Sequence, residues 1–327
     1  MLKMDARLVE WPLKEPFRIS RETLYSVRCI QVTLSDANDN WGHGEAVGVD
    51  YAGETPEMLI EQLIAVRAQI ENGVSIEQLQ SLLPAGGARN ALDCALWDLR
   101  AKQSGIAAWV SADLQHMAPR PTAVTFGIMT DQDLRRMAAH YAHFPLLKVK
   151  TDQDHGIDPV RIVHEVAPSA RVILDPNQAW GEAELTKYSP QLPGLGVVLL
   201  EQPVAIDADD ILDRLRLTVP VAADEAFNDR LDISRLANRY QVLNIKLDKT
   251  GGLTEAIACV HQAKEAGLGL MVGCMIGSSL SMAPATIIAQ YCDFVDLDGP
   301  LLQAADCDVP IQYENGTIHP PHPKLWG

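Results

Sequence analysis

No stretch of the sequence approaches the roughly 20 consecutive apolar residues of a membrane-spanning helix. Its opening residues, Met1-Leu2-Lys3-Met4-Asp5-Ala6-Arg7, lack the apolar core of a signal peptide. A cytoplasmic protein without a membrane partner is therefore expected. Positive charge is also scarce: 27 Lys and Arg stand against 43 Asp and Glu, for a net charge of −16. With no basic cluster to offset that balance, nucleic acid is excluded as a natural partner. The six cysteines, Cys29, Cys94, Cys259, Cys274, Cys292 and Cys307, stand singly, with no Cys-x-x-Cys pair for zinc or redox chemistry. Buried thiols in a reducing compartment account for them. Cys274 is the exception, because it ends an apolar run at 270–274 where a strand would meet a site. None of the 9 histidines has the spacing of metal ligands, so none is given a catalytic role.

What is present points to an α/β enzyme. The chain has 327 residues, 47% of them hydrophobic, enough for a barrel of about 200 to 250 residues and a smaller domain. From residue 121 onward, apolar β-branched runs alternate with helical patterns. Eight strands are predicted near 122–127, 145–150, 171–175, 196–201, 219–224, 242–247, 268–273 and 293–298. Helices are predicted between them, for example over 131–144, 158–166, 207–217 and 253–266. No eighth helix follows the last strand, which gives a (β/α)7β TIM-like barrel. The first 115 residues read as α+β, with an alternating strand at 27–34 and helices at 56–70 and 88–102. In the last helix Ala91, Leu92, Ala95, Leu96 and Leu99 form an apolar stripe, and Arg89, Asp93, Arg100 and Lys102 lie mainly off it.

Charged residues recur where these strands end. Lys150, Asp175, Glu201, Asp224 and Lys246 follow one another at spacings of 25, 26, 23 and 22 residues, as expected of a barrel whose strand ends converge on one site. Side chains alternate along a strand, so Lys148 and Lys150 share the face opposite Leu147 and Val149. The same parity groups Asp175 with Asn177, Lys246 with Asn244 and Asp248, and Asp296 with Asp298. Three carboxylates brought together repel one another unless a cation lies between them. Oxygen-only ligands suit Mg2+ better than zinc. A divalent cation beside two lysine-bearing strands suits removal of a proton next to a carboxylate, where the metal stabilises the enediolate charge. Lys150 and Lys246, on the second and sixth of eight strands, would reach that carbon from opposite faces, one as base and the other as acid. Lys148 and the metal are expected to lower the lysine pKa.

The pattern Lys148-Val149-Lys150, Asp175-Pro176-Asn177, Glu201-Gln202-Pro203, Asp224-Glu225 and Asn244-Ile245-Lys246, with the helix at 88–99, resembles the enolase superfamily, muconate-lactonizing subgroup. The resemblance covers nearly the whole chain. It implies a capping domain at 1–115, a barrel at 116–303 and a segment at 304–327 returning to the capping domain, with loops near 17–23 and 48–53 closing over substrate. It also implies Asp175, Glu201 and Asp224 as Mg2+ ligands, Lys150 and Lys246 as the acid/base pair, and Lys148 polarising the substrate carboxylate. Asn177, Glu225 and Asp248 are expected to support them from behind. Asp296-Leu297-Asp298-Gly299-Pro300-Leu301 resembles the Asp-x-Asp signature of the dipeptide epimerases, which implies that both acids hold a substrate ammonium group. Gly273-Cys274-Met275 resembles that family too, placing Cys274 at the substrate, and Gly277 is expected to enlarge or reshape the pocket.

The expected function is Mg2+-dependent dipeptide epimerisation at the α-carbon of the C-terminal residue. Racemisation of an N-acylated amino acid, cycloisomerisation or dehydration on the same fold are the alternatives. Beyond these stand a metal-free Schiff-base aldolase using Lys246 and a non-enzymatic binding protein. Arg18 and Arg21 in the capping loop would suit an acidic substrate side chain, whereas Glu22, Asp50 and Glu54 would suit a cationic one. The expected partners are a small-molecule dipeptide and further copies of the chain in a homo-oligomer.

Overall fold

The structure, a computed structural model, describes residues 2–20 and 22–327. Three antiparallel strands, β1 (Lys3–Arg18), β2 (Thr23–Ser35) and β3 (Trp41–Ala46), form the first sheet in that order. The alternation read at 27–34 is its central strand, with Ile30, Val32 and Leu34 buried and Arg28 exposed. The predicted helix at 56–70 is Pro56–Glu71. Thr55 caps it by accepting from the Met58 amide at 3.3 Å, and a proline opens its first turn.

The sheet lies directly on the helix Gly87–Ser104, because both surfaces are nearly without side chains. A Cβ on Gly42 would stand 2.2 Å from the Ala95 carbonyl oxygen, and one on Gly44 only 2.0 Å from that of Ala91. The far side of the helix departs from the single-stripe expectation. Arg89 and Asp93 are buried rather than facing water. Arg89 donates to the carbonyls of Thr250 at 2.7 Å and Gly251 at 3.1 Å, and Asp93 accepts from the Thr254 amide and hydroxyl at 3.0 and 2.7 Å. The periodic charges seam the helix to the barrel.

After the short β4 (Arg120–Pro121) come eight parallel strands in sequence order: β5 (Val124–Phe126), β6 (Leu146–Lys150), β7 (Arg171–Asp175), β8 (Val197–Glu201), β9 (Val221–Ala223), β10 (Val242–Ile245), β11 (Gly269–Val272) and β12 (Phe294–Val295). The Ala123 amide donates to the Val295 carbonyl at 2.8 Å, linking the first and last strands. Ala123, Leu146, Ile173, Leu199, Ala222, Val242, Met271 and Phe294 form an apolar interior cluster, one residue from each strand or its immediate flank. This layer floors the barrel, so the polar inward residues gather at the C-terminal strand ends. Leu147 and Val149, on the alternate face, pack into the separate core that also contains outer-helix residues such as Leu134 and Val160.

The helices expected at 131–144, 158–166 and 253–266 are Asp131–His140, Asp158–Val166 and Leu253–Glu265. The one expected at 207–217 is instead a 3-10 run, Ile206–Asp213. There Asp209 turns inward to pair with Arg239 and accept from the Tyr240 hydroxyl, an alternative to regular α-helical packing. A single helical turn, Gly299–Leu302, follows β12. The tail then forms a hairpin, β13 (Tyr313–Glu314) and β14 (Thr317–Ile318), with β14 paired to β4. It ends on the helix Gly87–Ser104, where the Trp326 indole donates to the Cys94 carbonyl at 3.0 Å and the Gly327 amide to Asp98 at 2.6 Å. Among the described residues no helix is long and apolar enough to cross a membrane.

Candidate active site

The C-terminal ends of the barrel strands hold a dense network of buried charge. Lys150 and Asp175 are register partners on β6 and β7, and the ammonium donates to the carboxylate at 2.5 Å. Glu201 ends β8 and Asp224 directly follows β9. Asp175, Glu201 and Asp224 are 0 to 1% exposed. Lys148 reaches all of the left half of this cluster, with Asp175 at 3.2 Å, Glu201 at 2.8 Å and Asp296 at 2.9 Å. Lys246 donates to Asp224 at 2.7 Å from the other side. β6 and β10 are four strands apart in a ring of eight, so Lys150 and Lys246 face one another across the mouth.

Asp175 and Asp224 divide their oxygens in the same way, and Glu201 departs from it. One is held by a fixed donor: Asp175 by the Asn177 amide at 2.9 Å, Glu201 by the Asn244 side chain at 2.9 Å, Asp224 by Lys249 at 2.7 Å. The other oxygen accepts from Lys150 in Asp175 and from Lys246 in Asp224, whereas in Glu201 Lys148 donates to the same Oε1 that Asn244 holds. Ammonium groups thus stand between the acids, and among the described residues no three acidic, imidazole or thiol groups are drawn tightly enough together to hold an ion in this arrangement. The donor set nevertheless fits a hard cation. It is all oxygen, and Glu201 Oε2 receives no well-directed hydrogen bond although Lys148 lies 2.8 Å away.

The electrostatics follow the burial. Burial pushes Glu201 up to about 8 against the pull of Lys148. Burial also opposes ionisation of Asp175 and Asp224, but the facing lysines prevail and hold both below the usual carboxylate range. For Lys246 the protein's own groups act against the expected lowering. Burial pulls Lys148 and Lys246 down, yet the surrounding carboxylates, Asp296 foremost for Lys148 and Asp224 for Lys246, raise both above the ordinary value. Lys249, by contrast, is lowered, by burial.

Asp296 and Asp298 follow the two-residue β12 and meet at Thr125. The Thr125 amide donates to Asp298 at 2.6 Å and its hydroxyl to Asp296 at 3.3 Å. Burial and then the charge of Asp296 push Asp298 up to about 7. A cavity of about 350 Å³ opens over this network. Lys148, Lys150, Lys246, Asn177, Asp224, Glu225, Cys274, Asp296 and Asp298 line its floor, and Phe17, Ile19, Leu24, Tyr51, Met275 and Ile276 are among its walls. The Cys274 thiol is held protonated, well above its ordinary value, by burial and the charges of Asp298 and Asp296.

Several expectations need correction. Asp248 does not continue the inward face of Asn244 and Lys246, because β10 stops at Ile245 and Leu247–Thr250 is a helical turn. Its carboxylate instead accepts from the amides of Val47 and Gly48. Gly277 does not widen the cavity: a Cβ there would meet Ser281 at 2.9 Å, and Gly299 packs on its backbone. Glu54 lines the cavity, and its carboxylate also accepts from the Val49 and Gly87 amides at 2.8 and 3.0 Å. Arg18 is exposed and does not line the cavity, whereas Glu22 and Asp50 do. Arg21 lies outside the described residues. Asn177 donates to Glu225 at 3.3 Å from a left-handed backbone, φ 44°. Lys249, Thr125, Tyr51 and Arg28 were not anticipated. Only Lys249 had a sequence signal, since a helical turn after Lys246 would return the third residue onward to the same side.

Residues 2–110 match the mandelate racemase/muconate lactonizing enzyme N-terminal domain, and residues 130–324 match the enolase C-terminal domain-like family. L-Ala-D/L-Glu epimerase of Escherichia coli (strain K12) is 36% identical over 94% of this chain and 97% of its own length. N-acetyl-D-glutamate racemase of a Pseudoalteromonas species is 40% identical over 78% of this chain and 80% of its own. The crystal structure of an enolase family member from Agrobacterium tumefaciens with homology to dipeptide epimerases, with bound sodium and L-Ala-L-Glu, superposes with a TM-score of 0.97 at 38% identity, covering 100% of both chains. With both halves of its fold matched and its relatives spanning nearly its full length, this chain belongs to the mandelate racemase/muconate lactonizing enzyme family of the enolase superfamily.

Proposed function

We propose that the chain is a Mg2+-dependent dipeptide epimerase that inverts the α-carbon of the C-terminal residue by 1,1-proton transfer. The observation that carries this reading is the opposition of Lys150 and Lys246, four strands apart and each hydrogen-bonded to a different buried acid. Asp175, Glu201 and Asp224 would hold the metal. When bound, Mg2+ supplies Lewis-acid stabilisation of the charge left on the substrate carboxylate by proton removal. Lys150 or Lys246, as the neutral amine, takes the α-proton from one face, and the other, as ammonium, returns a proton to the opposite face; the roles exchange for the other stereoisomer. Lys148 supplies a fixed positive charge for the substrate carboxylate, and the walls around 17–24 and 47–54 exclude water.

Asp296 and Asp298 carry the choice of a dipeptide. Thr125 aims both acids, and their mutual repulsion is relieved by an ammonium between them. The cavity of about 350 Å³ suits a ligand of that size. The likeness to N-acetyl-D-glutamate racemase favours a second reading, an N-acylated amino acid, which brings no ammonium to Asp298. Asp298→Asn separates them. On the dipeptide reading it raises KM by about 10- to 100-fold, the worth of one charge-assisted hydrogen bond at about 1.5–3 kcal/mol. If instead wild type and variant both racemise N-acyl amino acids well and dipeptides poorly, the second reading is right.

The capping role of 1–115, the barrel at 116–303 and the returning segment at 304–327 belong to the same proposal, as does a homo-oligomer, which sedimentation velocity measures directly.

A further inference from the structure

The helical turn that follows Lys246 also reaches out of the barrel. Asp248, on Leu247–Thr250, is 3% exposed, and one carboxylate oxygen accepts from both the Val47 amide at 3.0 Å and the Gly48 amide at 2.8 Å. These amides begin the segment that leaves β3 and walls the cavity with Val47, Gly48, Asp50 and Tyr51. The next amide, Val49, goes to Glu54, which also holds the Gly87 amide at the start of the helix beneath. Gly48 stands at φ 89°, a left-handed backbone that turns the following Val49 amide away from Asp248 and toward Glu54. Three successive N–H groups are therefore taken by two carboxylates, the half-buried Glu54 and the buried Asp248, the latter two residues from Lys246. The turn that carries Asp248 is itself fixed, by Lys249 on Asp224 and by Arg89 on the carbonyls of Thr250 and Gly251.

We propose that Asp248 is a positioning residue, a latch that registers the wall at 47–54 against Lys246. This rests on the epimerase reading for the identity of Lys246 as an acid/base group. The Lys246 ammonium is turned to Asp224, while the Asp248 carboxylate is spent on the wall. Tyr51 lies within electrostatic reach of Lys246, and the other wall contacts, from Val47, Gly48 and Asp50, would bind the substrate without acting on the reacting proton. Those contacts are equal in ground and transition states, so loosening the wall raises KM while leaving kcat nearly intact.

The test uses Asp248→Ala and Asp248→Asn, and its first readout needs no substrate. Amide hydrogen exchange at Val47 and Gly48 accelerates at least tenfold in Asp248→Ala, with Val49 as the internal control held by Glu54. KM for the dipeptide rises at least tenfold, kcat stays within threefold, and Mg2+ affinity measured by calorimetry is unchanged. Asp248→Asn, which keeps an accepting oxygen but loses the charge, shows both effects in the same direction at smaller size. Unchanged exchange at Val47 and Gly48 would overturn the latch. So would a fall in kcat or in Mg2+ affinity with KM preserved, which would place Asp248 with the metal ligands. Should Asp248→Ala not fold, the same comparison between wild type and Asp248→Asn decides, since a neutral acceptor holds two amides less firmly than a charged one. If wild type inverts no dipeptide, the epimerase reading fails on its own and the exchange rates still judge the latch.

Discussion

Buried charge at the barrel mouth is arranged so that no group stands alone. Lys148, Lys150, Lys246 and Lys249 share the space with Asp175, Glu201, Asp224, Glu225, Asp296 and Asp298, all within a shell that is 8% exposed or less. Such burial costs several kcal/mol per ion unless each charge is paired; ion pairs of the four lysines with Asp175, Glu201, Asp224 and Asp296 provide that pairing, while Asp298 accepts from Thr125 and Glu225 from Asn177. Asp93, away from the site, is a simpler case. Burial lifts it from 3.8 to about 6 despite hydrogen bonds from Thr254 and Gln80. The native state therefore keeps this proton longer than the unfolded chain does. Stability is lost as pH rises from about 4 to about 6 and changes no further from this source above that. Thermal unfolding of wild type and Asp93→Asn at pH 4.5 and 7 tests this: the wild type should lose ground to the variant at the higher pH, and a constant gap contradicts it. The acids and lysines of the site were legible in the sequence because each ends an apolar run and strand parity fixes its face. Strand parity does not reach Lys249 and Asp248, because it fails where a strand turns into a helix, and Lys249 follows only from the helical turn after Lys246. Thr125 and Tyr51 were not legible because nothing local distinguishes a threonine or tyrosine that faces a cavity.

Between elements, the closest packing is that of β3 on the helix Gly87–Ser104, where Gly42 and Gly44 meet Ala95 and Ala91. Gly44→Ala drives a methyl into backbone and should cost about 3 kcal/mol or more. Gly194→Ala, where a Cβ meets nothing within 4 Å, should be neutral or slightly stabilising. Denaturant titration compares the two, and equal stabilities would contradict the account. The eight barrel strands were readable from apolar runs, though β12 has only two residues where six were expected. Its chain leaves the ladder early because Asp296 and Asp298 turn to Thr125. The helix at 87–104 was readable in position but not in environment. Period alone identifies an apolar stripe; it does not reveal a second layer of partners such as Thr250, Gly251 and Thr254 waiting for the polar face.

For the molecule as a whole, the sheet, barrel and tail converge on one helix and one cavity. The tail ends on Cys94 and Asp98, the barrel on Arg89 and Asp93, the sheet on Ala91 and Ala95. This docking brings Phe17, Ile19, Leu24 and the wall at 47–54 over the strand ends, so the cavity is lined from both halves of the chain. The central claim is that Lys150 and Lys246 move one proton on opposite faces of a carbon beside a carboxylate. Its most direct measurement is incubation of a dipeptide library with the Mg2+-loaded protein in D2O, with deuterium read by mass spectrometry and configuration by chiral separation. Wild type should place one deuterium at the α-carbon of the C-terminal residue with inversion, and chelation of the metal should stop it. Lys150→Ala or Lys246→Ala should abolish inversion, leaving at most exchange from the face of the remaining lysine. Inversion that persists in either lysine variant, or after chelation, would contradict the account.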